Sequence, residues 1–296
     1  MITGSCVALI TPMLTDGTID FKALGLLTDW HIQEKTDAIV VLGTTGESPV
    51  LTEKERTEIL RFVIDRVDGR IPVIAGTGTN STEQTIYLTE QARVLGANAC
   101  LLVVPYYNRP GQEGLYQHFH RIAERVPVAQ ILYNVPGRTI TDLLPETVVR
   151  LMDHPNIIGI KEATGDIERA KMLINAAEGK NFAVYSGDDL TAFELMLCGG
   201  KGVISVTANI APAKMHKMCS ETLRGHTEEA KAIDQQLSGL NKALFVEANP
   251  VPVKWALNKM RKIQNGIRLP LMPLRSESHP VVSEAMKSSG IVVSEM

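Results

Sequence analysis

The stretch Ile157-Ile158-Gly159-Ile160-Lys161-Glu162 decides the fold. It is apolar and β-branched up to two terminal charges, the pattern of a strand buried on both faces. Outward from it, similar short runs recur at Cys6–Ile10, Ala38–Leu42, Pro72–Ala75, Ala99–Val104, Val128–Tyr133, Phe182–Tyr185 and Gly202–Val206. With Ile157–Lys161 they number eight, separated by longer amphipathic segments, and eight βα units close a (β/α)₈ TIM barrel. A doubly wound open sheet is the competing architecture, but no GxGxxG follows the first run, and a lysine ending the sixth strand would have no special place there.

Two intervening segments carry helix-start signals, Thr52-Glu53-Lys54-Glu55 and Ser81-Thr82-Glu83-Gln84, in which a hydroxyl can cap and an acidic or amide side chain follows. After Val206 the pattern turns to helix alone, from about Pro212 to Lys262. A Pro-containing stretch follows at Arg268–Pro273, then a last helix near Pro280–Ser289. The reading is α/β, with a barrel over residues 1–210 and a C-terminal helical region over 211–296 that completes and packs on it.

A chain of 296 residues with 44% hydrophobic content can bury a large core. Its net charge of −3 and pI near 6.2 give no broad basic field, which argues against nucleic acid or an anionic membrane as partner. The four cysteines, Cys6, Cys100, Cys198 and Cys219, form no CxxC pair and suit a reducing compartment. The start, Met1 to Pro12, lacks a signal-peptide pattern, and no apolar run approaches the roughly 18 residues of a membrane span. A cytoplasmic protein is expected.

Active sites of TIM barrels lie at the C-terminal strand ends, so the polar residues there are the first candidates. Lys161 belongs inside or at the rim of the barrel, where burial favours a neutral, nucleophilic amine. Such an amine attacks a ketone to give an iminium, an electron sink that makes the neighbouring methyl carbon acidic. The plainer alternative is an ion pair with Glu162 or another carboxylate. Tyr133 ends the preceding strand, one strand spacing of about 5 Å away, and can carry protons, in a relay with Thr44 and a second tyrosine, or else simply pack. Thr44 and Thr45, between Gly43 and Gly46, form a turn whose hydroxyls and N–H groups could hold a carboxylate, or a plain βα turn. Arg138, held by Pro136-Gly137, offers a fork for a carboxylate or a surface salt bridge.

Two other signals are discounted. His118-Phe119-His120 resembles an HxH metal motif but falls in an amphipathic helical run, where i and i+2 face different sides. Gly199-Gly200-Lys201-Gly202 lacks the P-loop spacing and leads into a strand. No metal site is expected.

Taken together, Gly43-Thr44-Thr45-Gly46-Glu47, Pro105-Tyr106-Tyr107-Asn108-Arg109-Pro110, Tyr133-Asn134-Val135-Pro136-Gly137-Arg138, Gly159-Ile160-Lys161-Glu162-Ala163, Ser186-Gly187-Asp188-Asp189, Gly202-Val203-Ile204-Ser205-Val206 and Asn249-Pro250-Val251-Pro252-Val253-Lys254 resemble the dihydrodipicolinate synthase (4-hydroxy-tetrahydrodipicolinate synthase) family of pyruvate-dependent lyases. The resemblance runs from Gly4 to about Pro273. It implies a class I aldolase-type lyase of lysine biosynthesis that needs no cofactor: pyruvate condenses with Lys161, and its enamine attacks L-aspartate 4-semialdehyde. It implies a relay of Thr44, Tyr133 and Tyr107, with Tyr107 reaching into a neighbouring subunit's site of a homotetramer built as two tight dimers. Thr45 and Ile204 would bind the pyruvate unit, Arg138 the semialdehyde carboxylate, and Gly187 would lie in the substrate site. Arg138 separates the synthases from related sugar-acid aldolases, which usually lack it.

In lysine-inhibited members of that family a glutamate holds the effector's amino group and histidines line its site. Those places are filled here by Gln84, Glu53 and Arg56, beside Ser48, Asn80 and Tyr106. A neutral amide does not replace a charge-assisted contact, so weak or absent inhibition by lysine is expected. A sugar-acid aldolase using the same Lys161, a non-catalytic sensor and a metal-dependent barrel hydrolase are the competing readings.

Overall fold

The computed structural model describes residues 1–291. Eight parallel strands close into a barrel in sequence order: β1 (Gly4–Ala8), β2 (Ala38–Val41), β3 (Val73–Gly76), β4 (Ala99–Val103), β5 (Gln130–Asn134), β6 (Ile157–Glu162), β7 (Ala183–Ser186) and β8 (Gly202–Ser205). Between them run α1 (Phe21–Gln33), α2 (Glu53–Val67), α3 (Thr82–Leu95), α4 (Gln112–Arg125), the short α5 (Pro136–Thr139), α6 (Pro145–Leu151), α7 (Ile167–Ala176) and α8 (Ala192–Leu197). All eight strands fall on the expected runs, with ends moved by one or two residues. The first begins at Gly4 because closure pairs Gly4 with Gly202 and Cys6 with Ile204.

Side chains alternate between two apolar layers, as the period of two along a strand requires. On β4, Ala99 and Leu101 point into the barrel, while Cys100 and Leu102 pack outward against the helices. On β6, Ile157 and Ile160 join the outer layer, which turns Gly159 and Lys161 inward. A Cβ on Gly159 would stand 2.5 Å from the Ala183 carbonyl oxygen and 3.1 Å from the Tyr185 ring, so only glycine fits beneath Lys161.

Both helix-start signals form. Thr52 and Glu55 make a full capping box on α2, and Ser81 Oγ accepts from Gln84 N at the start of α3. The C-terminal region is helical over Pro212–Lys262, as expected. It is three helices, α9 (Pro212–Leu223), α10 (Thr227–Ala243) and α11 (Val251–Lys259), followed by α12 (His279–Ser288). The chain reverses at Gly225, whose φ of +82° suits only glycine well, and breaks again before Pro250. α9 packs on β1 and α10 on α9 and α12. No helix among the described residues is long and apolar enough to cross a membrane.

Candidate active site

At the C-terminal ends of the strands lies a cavity of about 120 Å³ lined by Thr44, Thr45, Tyr133, Arg138, Lys161 and Gly187, among others. Lys161 and Tyr133 are register partners on neighbouring strands. Both are buried, and the Lys161 Nζ stands 4.3 Å from the centre of the Tyr133 ring. Gly187 begins the loop after β7 and lies against the lysine: a Cβ there would come within 2.9 Å of Lys161 Cε and 2.6 Å of Ala163 Cβ. A larger residue would displace the lysine stem.

The alternative pairing of Lys161 with Glu162 does not form. Adjacent strand residues face opposite ways, and Glu162 points outward to Arg169 on α7, with Nε to Oε2 at 3.0 Å. Arg169 also clasps Asp142 through two hydrogen bonds of 3.0 and 2.9 Å. Asn134 donates to both Asp142 and Glu162, so the ends of β5 and β6 are tied together behind the cavity.

The Gly43–Glu47 turn closes on hydrogen bonds from Gly46 N to Gly43 O and from Glu47 N to Thr44 O, both 3.1 Å. Thr45 is buried, and its Oγ1 accepts from Asn249 Nδ2 at 2.9 Å. Arg138 is exposed at the cavity mouth and donates from Nη2 to the Asn249 carbonyl at 3.2 Å. Ile204 lies in the inner apolar layer, two residues before the cavity-lining Val206. Tyr107 does not enter this chain's cavity. With φ of +74° it projects outward, 90% exposed.

A second cavity, of about 370 Å³, adjoins the first through Thr44 and Arg138, which line both. Ser48, Glu53, Arg56, Gln84 and Tyr106 line it; Asn80 does not, its carbonyl taking the Asn108 amide instead. Arg56 donates from Nη2 to Gly76 O at 2.7 Å. The Glu53 carboxylate accepts from the Tyr87 hydroxyl and raises its pKa.

The residues that sequence reasoning left without a role are Asn249, Glu47 and Lys254. Lys254 on α11 forms a buried ion pair with Glu47. Burial pulls the Lys254 pKa down while Glu47 opposes that shift. Their motifs were visible as strings, but partners 204 and 207 residues apart carry no spacing signal.

The discounted signals stay apart from this site. His118 is buried in α4 with Nδ1 on Thr82 Oγ1, whereas His120 faces Glu124. Among the described residues the one group with metal-ligand spacing is Glu221, His226 and Glu229, at the far end of α9. Its carboxylates are paired with Arg224 and Lys217. The barrel-interior thiol Cys6 is pushed up to about 12, mainly by burial and then by Asp37, and is no nucleophile near neutral pH.

A closed parallel barrel with a buried lysine and tyrosine side by side at the strand ends has the architecture of a TIM-barrel enzyme. The "Dihydrodipicolinate synthetase family" profile matches residues 1–289, and the chain belongs to that family. It is 58% identical over 292 residues to the 4-hydroxy-tetrahydrodipicolinate synthase of Pseudomonas aeruginosa, covering 99% of this chain and 100% of that one. It superposes with a TM-score of 0.97 on the chloride-inhibited dihydrodipicolinate synthase of Acinetobacter baumannii complexed with pyruvate. That protein is 52% identical, with 99% of this chain and 100% of that chain covered. The enzyme from Cyanidioschyzon merolae with lysine bound is more distant, at 37% identity and a TM-score of 0.94, over 98% and 99% of the two chains.

Proposed function

We propose that Lys161 forms a Schiff base with pyruvate and that the chain condenses the resulting enamine with L-aspartate 4-semialdehyde, a 4-hydroxy-tetrahydrodipicolinate synthase activity. The observation that carries this reading is the burial of Lys161 beside Tyr133 in a cavity that also holds Thr45 and Arg138.

The Lys161 amine attacks the pyruvate carbonyl carbon, water leaves, and an iminium forms. Loss of a methyl proton gives the enamine, whose terminal carbon bonds to the semialdehyde's aldehyde carbon, leaving a hydroxyl there. The amino group of the adduct then attacks the iminium carbon and displaces Lys161 as a free amine, closing the ring. One water is released overall. Tyr133 and Thr44 move the protons. Thr45 receives the pyruvate carboxylate on its hydroxyl and backbone N–H, against the apolar side chain of Ile204. Arg138, a guanidinium fork at the mouth, receives the carboxylate of the second substrate. Tyr107 projects from its own chain, which suits a role in the site of a second copy within a homotetramer of two tight dimers. The free cysteines suit the cytoplasm.

Intact mass after treatment with pyruvate and borohydride tests the first step. An adduct is expected on the wild type and none on Lys161→Ala, with turnover that depends on the semialdehyde. An adduct without that turnover would favour a sugar-acid aldolase, and no adduct at all would remove the Schiff-base reading.

A further inference from the structure

The strand ends supply the reacting groups, but the turn bearing Thr44 and Thr45 is held from the C-terminal region. Glu47 closes the turn at φ +57°, a left-handed conformation uncommon for a non-glycine residue. Its buried carboxylate is gripped on both oxygens, by the Lys254 ammonium and by the Arg268 backbone N–H. Neither Glu47 nor Lys254 lines the reaction cavity. Asn249, two residues before α11 begins, donates to Thr45 and accepts from Arg138. One short segment therefore touches the groups assigned to both substrate carboxylates.

We propose that Lys254, through Glu47, and Asn249, directly, are positioning residues that set the Thr44–Thr45 turn and Arg138 relative to each other, so that both substrate carboxylates are held in register with Lys161. This rests on the functional reading above. A buried ion pair adds little stability over apolar residues of the same volume. What apolar residues do not supply is a directional contact fixing a left-handed turn. The pair thus has a geometric role that can be separated from a stabilising one.

The test uses the full chain in two variants, Glu47→Gln/Lys254→Met and Asn249→Ala, each assayed for thermal midpoint, borohydride-trapped pyruvate adduct, and kcat/KM for each substrate. The double variant removes both charges and keeps an acceptor for the Arg268 N–H. It is expected to melt within a few degrees of wild type while its kcat/KM for pyruvate falls on the order of 100-fold, the scale of a roughly 1 Å misplacement. Asn249→Ala is expected to raise KM for both substrates. A double variant that melts lower yet keeps wild-type constants assigns the pair a purely structural role and overturns its part of the proposal. If the double variant does not fold, Asn249→Ala decides: unchanged KM values overturn the proposal, and raised values for both substrates support it. A wild type without a pyruvate adduct removes the functional reading itself, a failure distinct from either variant's.

Discussion

Replacing Arg169 with leucine tests the brace behind the active site. The Arg169 side chain is 12% exposed and spans Glu162, 1% exposed, and Asp142, 35% exposed. Its loss leaves the Glu162 carboxylate buried with two remaining donors, Thr164 N at 2.8 Å and Asn134 Nδ2 at 3.3 Å. Stranding one member of a buried pair costs about 3–5 kcal/mol, and those surviving donors place this case toward the lower end, near ~3 kcal/mol. At roughly 2.1 cal/mol/K per residue, 296 residues give an unfolding entropy of ~0.6 kcal/mol/K, so the midpoint should fall by about 5 °C. Calorimetry at neutral pH reads the shift, with Arg93→Leu as control. Arg93 forms a bidentate but exposed pair with Glu90, 40% exposed on each side, and such pairs contribute about 0–1 kcal/mol. A drop in Arg169→Leu no larger than in the control would refute the reasoning.

Three further outcomes follow from the same structure. Arg138→Ala should raise KM for the semialdehyde while pyruvate still forms its adduct; equal losses for both substrates would contradict the assignment. Free lysine should inhibit weakly or not at all, because Gln84 offers no carboxylate, Glu53 is engaged by Tyr87, and the Arg56 guanidinium lines the same cavity; strong inhibition at sub-millimolar lysine in a steady-state assay would overturn this. His31, fully buried, has its pKa pulled down to about 3, first by burial and then by Lys262. The unfolded imidazole takes up its proton near pH ~6.5 and the folded one only near 3, so this contribution is intact above that window and is lost as pH falls through it. His31→Leu should therefore reduce the acid-side slope of stability by up to ~1.4 kcal/mol per pH unit in denaturant titrations, and an unchanged slope would count against it.

The barrel was legible because its strands announce themselves: each is a short buried run, and Lys161 and Tyr133 end adjacent ones. Local chemistry was equally readable at Thr52 and Ser81, where a cap needs only residues three positions apart. The Asn249–Lys254 string was visible too, yet its use was not, because its partners come from the second strand's loop across the barrel. The helical character of the tail was legible as well, and its division into separate helices falls at Gly225 and before Pro250.

Register links the stability of this barrel to its chemistry. A slip of one residue on β6 would exchange the faces of Lys161 and Glu162. It would drive the Lys161 side chain into the outer apolar layer and the Glu162 carboxylate into the barrel, away from Arg169. It would also put Ile160 where only Gly159 fits against the Ala183 carbonyl. Both faces thus specify the same alignment, the inner one by steric exclusion and the outer one by charge. Because β5 is tied to the same brace through Asn134, the alignment that satisfies Glu162 is the one that sets Tyr133 beside Lys161. The ion pairs behind the sheet and the reactive pair in front of it are two faces of one register, which is why loosening Arg169 should reach the cavity without touching it.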